Sequence, residues 1–119
     1  MKLKKQNKFL LKTIVFLRKA ANQYNAPIWK TVKEFLEKPK RKRVAVNISK
    51  INRYTKDGDM VVVPGKVLSC GEMKHKVVIG AFAYSERAKK KLIEAGCEVL
   101  TIEELVKRNP KGSGVKIIV

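Results

Sequence analysis

Residues 77–83, VVIGAFA, are uncharged and open with three β-branched side chains. Such a run reads as a buried strand, and the elements that cover it decide the fold class. A second run, MVVVPG at residues 60–65, reads as another buried strand. It is expected to close in a Pro64-Gly65 turn, with residues 66–68 continuing extended. Both runs are far too short to span a bilayer, since the longest apolar stretch, residues 77–84, holds only eight residues.

The segments around these strands alternate in type. VAVN at residues 44–47 reads as a short strand, and residues 48–55 as a short helix with Ile48 and Ile51 inward. Lys56-Asp57-Gly58-Asp59 forms a turn, and residues 69–73 a second. Ser85 caps a helix whose inner face is Ala88, Leu92 and Ala95, and Gly96 stands at its left-handed end. Residues 97–100 follow as a strand. Thr101 and Glu104 make a capping box for a helix that stops before Asn109-Pro110, and residues 115–119 return as a last strand. The succession of strands and helices predicts a small α/β body.

Two helices precede that body. Leu10, Ile14, Leu17, Ala21 and Tyr24 recur at steps of four and three, which paints one apolar stripe on a helix over residues 6–24. A second helix starts at Pro27 and carries Ile28, Val32, Phe35 and Leu36 on one side, with Trp29 beside them as a packing residue. It stops before Pro39. The Lys-rich start and FLLKTIVFL superficially resemble a targeting peptide, but Lys12 interrupts the run and no small-residue cleavage pattern closes it, so a retained helix is expected. Residues 38–43, KPKRKR, then place five cations around one proline. The expected organisation is a helical arm over 1–37, a basic linker over 38–43 and a globular body over 44–119.

Charge narrows the function. The 119 residues carry 28 Lys+Arg against 10 Asp+Glu, a net +18. Residues 1–50 hold 15 of the cations and 2 of the acids, and no acid precedes Glu34. Concentrating this charge costs self-repulsion that phosphate groups would relieve, so a polyanion, first of all nucleic acid, is the expected partner. An anionic membrane surface is a weaker alternative. A chain of this size buries roughly two thirds of its unfolded surface without help from disulfides or metals. Cys70 and Cys97 lie far apart and read as reduced cytosolic thiols.

Residues suited to catalysis are sparse. Two cysteines and one histidine offer no pair at metal-ligand spacing, so neither metal nor cofactor is expected. Cys70 and His75 lack an orienting third group. Gly65-Lys66 lacks the upstream glycine and the following Ser or Thr of a nucleotide loop. The pairs Asp57/Asp59 and Glu103/Glu104 have structural readings in a turn and in a helix first turn. What remains is a broad set of cations suited to RNA phosphates and shape rather than base reading.

The stretch VNISKINRYTKDGDMVVVPGKVLSCG, followed by FAYSERAKKKLIEAG, TIEEL and NPKGSGVKI, closely resembles the archaeal and eukaryotic family of large-subunit ribosomal protein eighteen, a relative of bacterial large-subunit protein fifteen. The resemblance runs from about Leu11 to Val119, and the length is similar to the archaeal form. Ser69, Cys70 and Cys97 stand where relatives often carry glycine. It implies an irregular β-β-α superhelical body, a structural rather than catalytic role in the cytoplasmic ribosome, and as partners large-subunit ribosomal RNA and neighbouring ribosomal proteins. Membranes and small-molecule substrates are not expected. A ribosome-assembly factor or another RNA-binding protein is the alternative. The implied RNA-binding residues are Lys38, Lys40, Arg41, Lys42 and Arg43 in the linker, Asn47, Ser49 and Arg53, the turn Pro64-Gly65-Lys66, and Lys111, Gly112, Ser113 and Gly114. Composition adds Lys2, Lys4 and Lys5 ahead of the first helix, Lys8, Lys12, Arg18 and Lys19 on it, and Lys116 near the C-terminus.

Overall fold

A computed structural model describes residues 5–39 and 42–119. In chain order the elements are α1 (Lys5–Gln23), α2 (Pro27–Leu36), β1 (Val44–Asn47), α3 (Ile48–Tyr54), β2 (Met60–Leu68), β3 (Val78–Tyr84), α4 (Glu86–Glu94), β4 (Glu98–Thr101), α5 (Ile102–Arg108) and β5 (Val115–Ile117). The expected α/β class, with two helices ahead of the first strand, is what the chain adopts. The strands form one sheet in the order β1-β2-β3-β4, with every pairing parallel. β5 pairs Met60–Val62 and β1 pairs Gly65–Leu68, so the two share one edge of β2.

Alternation along the central strands builds two cores. Val61, Val63, Val67, Ile79 and Ala81 face one way and pack with Ile48 and Ile51 of α3 and Ala88 and Leu92 of α4. Val62, Val78 and Phe82 face the other way, toward Leu10 and Leu17 of α1, Trp29 and Val32 of α2, and Leu105 of α5. Helices therefore cover both faces, as a parallel sheet requires. Among the described residues no helix is long and apolar enough to cross a membrane.

The connection from β2 to β3 is unusual. Parallel neighbours ordinarily need a crossover of a dozen or more residues, commonly a helix. Here residues 69–77 return without one. Side chains supply the hydrogen bonds that a helix would have made internally. Asn47 Oδ1 accepts from the Cys70 amide at 3.3 Å, Asn52 Oδ1 from that of Lys74 at 2.9 Å, and Asp57 Oδ1 from that of Lys76 at 2.8 Å. Lys91 Nζ donates to the carbonyls of Ser69 and Gly71. The loop is thus fastened to the end of β1, to α3, to the turn before β2 and to α4.

Local signals hold at the helix ends. Ser85 Oγ accepts from the Ala88 amide at 3.2 Å, Thr101 and Glu104 form the reciprocal capping box, and Gly96 takes a φ of 84°. Asn25 adopts a left-handed φ of 49° and turns α1 into α2.

Two expectations need correction. The Pro64-Gly65 turn does not form: β2 runs through both residues, and a register shift against β3 between Val63 and Lys66 accommodates the proline, which has no amide proton to give. Gly65 is instead where β1 comes closest, because a Cβ there would lie 2.1 Å from the Val44 carbonyl oxygen. On α1 the buried stripe is rotated from the expected one. Leu10, Thr13, Leu17 and Ala20 are buried, whereas Ile14, Ala21 and Tyr24 are half-buried. Thr13 is tolerated inside because its hydroxyl shares a proton between the Phe9 carbonyl at 3.2 Å and Glu103 Oε1 at 3.3 Å.

Candidate nucleic-acid interface

Of the residues singled out in the sequence, Lys2, Lys4, Lys40 and Arg41 lie outside the described residues, as does the side chain of Lys5, whose backbone opens α1. Lys8, Lys12 and Lys19 occupy the face of α1 opposite the buried Leu10, Leu17 and Ala20, and Arg18 is exposed beside them. Helix periodicity alone places them there, since the apolar stripe fixes which side turns to solvent.

The linker adds further cations. Lys38 Nζ sits 4.5 Å from the centre of the Phe35 ring, and Lys42 is exposed. Arg43 is half-buried where the chain enters β1, across from exposed Lys66 of β2. On α3, Ser49 and Arg53 are exposed, and the Arg53 guanidinium lies 5.9 Å from the Tyr54 ring centre. Asn47 is engaged with the Cys70 amide, so its side chain serves the β2–β3 loop.

The glycine-containing loop before β5 is docked on α2. Trp29, fully buried, donates from Nε1 to the Pro110 carbonyl at 2.6 Å. Gly112 has a φ of 66°, and a Cβ there would meet Ile28 Cγ2 at 2.4 Å. Packing and backbone conformation thus both demand glycine at that position. Lys111, Ser113 and Gly114 remain exposed. Lys116 is partly spoken for, because its Nζ pairs with Asp59 at 2.9 Å and reaches the Tyr54 carbonyl at 3.4 Å. The hydrogen bonds that Asp59 accepts from Lys116 and from the Lys56 amide hold its carboxyl below the usual carboxylate range.

The fold gathers residues that the sequence reading did not group. Lys50, Tyr54 and Lys116 border one surface depression, and Tyr54 is 55% exposed. An exposed aromatic directly after Arg53 was the available signal. Phe9 and Phe82 meet with ring centres 5.7 Å apart beside Arg43 and Lys66, a juxtaposition of positions far apart in the chain.

The two acid pairs are occupied by the scaffold. Asp57 and Asp59 brace the turn before β2, Glu103 receives Thr13, and Glu104 closes the capping box. His75 Nε2 is 2.6 Å from Thr55 Oγ1, whose proton goes to the Ile51 carbonyl, so the imidazole is committed to that bond. Burial raises the pKa of the Cys97 thiol. Among the described residues three ion pairs form, Lys33–Glu37, Glu98–Arg108 and Asp59–Lys116. Most exposed cations of this surface therefore have water rather than a carboxylate beside them, which suits them to phosphate.

Comparison with known proteins gives the family. The family model described as ribosomal protein 60S L18 and 50S L18e matches residues 2–119. The chain is similar to the large ribosomal subunit protein eL18 of Pyrobaculum aerophilum, 55% identical over 104 residues that cover 87% of this chain and 85% of that one. It is also similar to the eL18 proteins of Methanothermobacter thermautotrophicus, 46% identical over 98% of this chain and 97% of that one, and of Archaeoglobus fulgidus, 45% identical over 98% and 100%. With a match over nearly its whole length, the chain belongs to the family of ribosomal protein 60S L18 and 50S L18e.

Proposed function

We propose that the chain is a structural constituent of the large ribosomal subunit that holds ribosomal RNA through phosphate contacts, with neighbouring large-subunit proteins as its other partners. It is not an enzyme, and its place is the ribosome. The observation that carries the reading is the exposed cation set of α1, the linker and α3, mounted on packed elements and largely free of carboxylate partners. Packed elements matter because the backbone that carries these cations need not be ordered when a phosphate arrives. In this reading the segment 38–43 joins the helical arm 1–37 to the body 44–119 and brings phosphate to their junction. The succession β2-β3-α4 supports describing that body as an irregular β-β-α superhelix.

Sedimentation of cell extract at low salt and after a high-salt wash tests the role. Stoichiometry equal to that of other large-subunit proteins, surviving the wash, is expected. Presence only in precursor particles would instead make the protein an assembly factor. For the purified chain, log K should fall by roughly 0.7 to 0.9 per phosphate contact for each decade of salt. A slope near zero would remove phosphate neutralisation as the mechanism.

A further inference from the structure

We propose that the recess between α1, the end of α2 and strands β1 to β3 receives one unstacked nucleobase of the bound RNA, with the adjoining phosphate on Arg43 and Lys66. The inference rests on the RNA-binding reading and adds base stacking, a contact that neutralising phosphates does not need.

The recess has a volume of about 500 Å³, and its walls include Phe9, Leu36, Pro64 and Phe82. That size lies within the range of small-ligand sites. Phe9 lies at the edge of the core-facing side of α1, one turn before buried Thr13, yet remains 54% exposed, and its ring stands at 55° to the Phe82 ring. An aromatic face left in water at the mouth of an apolar hollow is a stacking surface for a flat partner, and every base has such a face.

Charge selects the kind of flat partner. The charged residues lining the recess are Arg43 and Lys66, both cations. The Nε of Arg43 is buried and finds no acceptor among the described residues. The residue as a whole is only half-buried, and a phosphate or base oxygen matches a guanidinium fork left without a carboxylate among the described residues. An apolar side chain from a neighbouring protein would fill the walls but leave Arg43 and Lys66 facing no anion. Ribosomal RNA supplies unstacked bases in its loops and bulges, each carrying its own phosphate.

The test uses the full chain and a transcript of the large-subunit ribosomal RNA of the same organism. Binding is measured at fixed salt for the wild type, Phe9→Leu and Phe9→Trp, with ultraviolet cross-linking and peptide mass spectrometry on the wild-type complex. Phe9→Leu keeps an apolar group but loses the ring, and should weaken binding by roughly 5- to 150-fold, the loss that one base–aromatic stack represents. Phe9→Trp should bind within about twofold of wild type, because its ring offers the same stacking face. Cross-linked nucleotide should map to Phe9 or Phe82. Thermal midpoints should fall by only a few degrees, since leucine still covers Phe82 with an apolar group. Unchanged affinity in Phe9→Leu, with cross-links elsewhere, overturns the proposal while a steep salt dependence still upholds phosphate binding. Wild-type binding that ignores salt is the separate result that fails the RNA reading itself. Normal RNA binding by Phe9→Leu, together with poorer incorporation into reconstituted subunits, would assign the recess to a protein side chain and likewise overturn the proposal.

Discussion

Replacing Gly65 by alanine tests whether this glycine serves the sheet or the RNA. An added methyl would lie 2.1 Å from the carbonyl oxygen of Val44, 2.7 Å from its carbonyl carbon and 2.8 Å from its Cβ. Two of these three atoms are backbone, so no rotamer change relieves the crowding. β1 must move instead, and it can, being a four-residue strand whose sheet pairing is to Gly65–Leu68 of β2. Overpacking of this kind costs about 1–3 kcal/mol, and opening the Val44–Gly65 end of the ladder adds about 1 kcal/mol for a lost hydrogen bond. A domain of this size has a total stability of roughly 6–18 kcal/mol, so a loss of about 2–4 kcal/mol should lower the melting midpoint by roughly 10–15 °C. Gly114→Ala is the control. It too introduces a methyl at a glycine, but at a φ of 73° with nothing within 4 Å, so only the left-handed backbone penalty of about 1–2 kcal/mol applies. Thermal melts followed by circular dichroism compare the two. A Gly65→Ala protein that melts with the wild type refutes the crowding argument. If it also binds RNA more weakly, then Gly65 admits a phosphate rather than a strand.

Trp29→Phe removes the donor to the Pro110 carbonyl and should cost about 1–3 kcal/mol, with faster amide exchange at Gly112 and Val115, whose amides close the loop; unchanged exchange there would mean that Trp29 does not hold it. Burial raises the pKa of the Tyr84 hydroxyl, which donates to the Leu100 carbonyl at 2.6 Å. A folded-state pKa above the unfolded one gives stability that is complete below about pH 10 and drains away above it. Tyr84→Phe should therefore be less stable by about 1 kcal/mol at neutral pH yet lose less on going to high pH, as denaturant titrations at the two pH values would register. Replacing Lys8, Lys12 and Lys19 together by serine should reduce the salt slope of RNA binding by about 2–3 without lowering the melting midpoint, because all three are exposed; an unaltered slope would mean that α1 faces away from the RNA.

Much of the architecture was legible because its causes are local. Ser85, Thr101 with Glu104, and Gly96 signal helix ends within four residues of themselves, and each does in the structure what its spacing implies. The reading of Trp29 as a packing residue also holds, since its indole is fully buried. The failures have distant causes. Pro64-Gly65 has turn chemistry, yet Gly65 answers to Val44, twenty-one positions earlier, and the pair continues as strand. Thr13 looks like a surface residue until Glu103, ninety positions away, receives its hydroxyl. Nothing in the spacing announced that β2 and β3 lie parallel, because the groups that fasten the intervening loop are scattered over α3, α4 and the turn before β2. In the interface, the outward lysines of α1 followed from periodicity, whereas the meeting of Phe9, Phe82, Arg43 and Lys66 needed the sheet order.

Placing helices on both faces of the sheet also sets how the protein's charge is felt. The axes of the two helix layers lie about 20 Å apart, one helix-to-sheet spacing of about 10 Å on each side. At physiological salt the screening length is only about 8 Å. Lys8, Lys12 and Lys19 on one layer and Arg53, Arg87 and Lys89 on the other are therefore nearly invisible to each other. Under the proposed function, an RNA strand settled on the first layer would leave the second as attractive as before. The protein's charge is then carried as two separate adhesive surfaces, one on each side of the sheet.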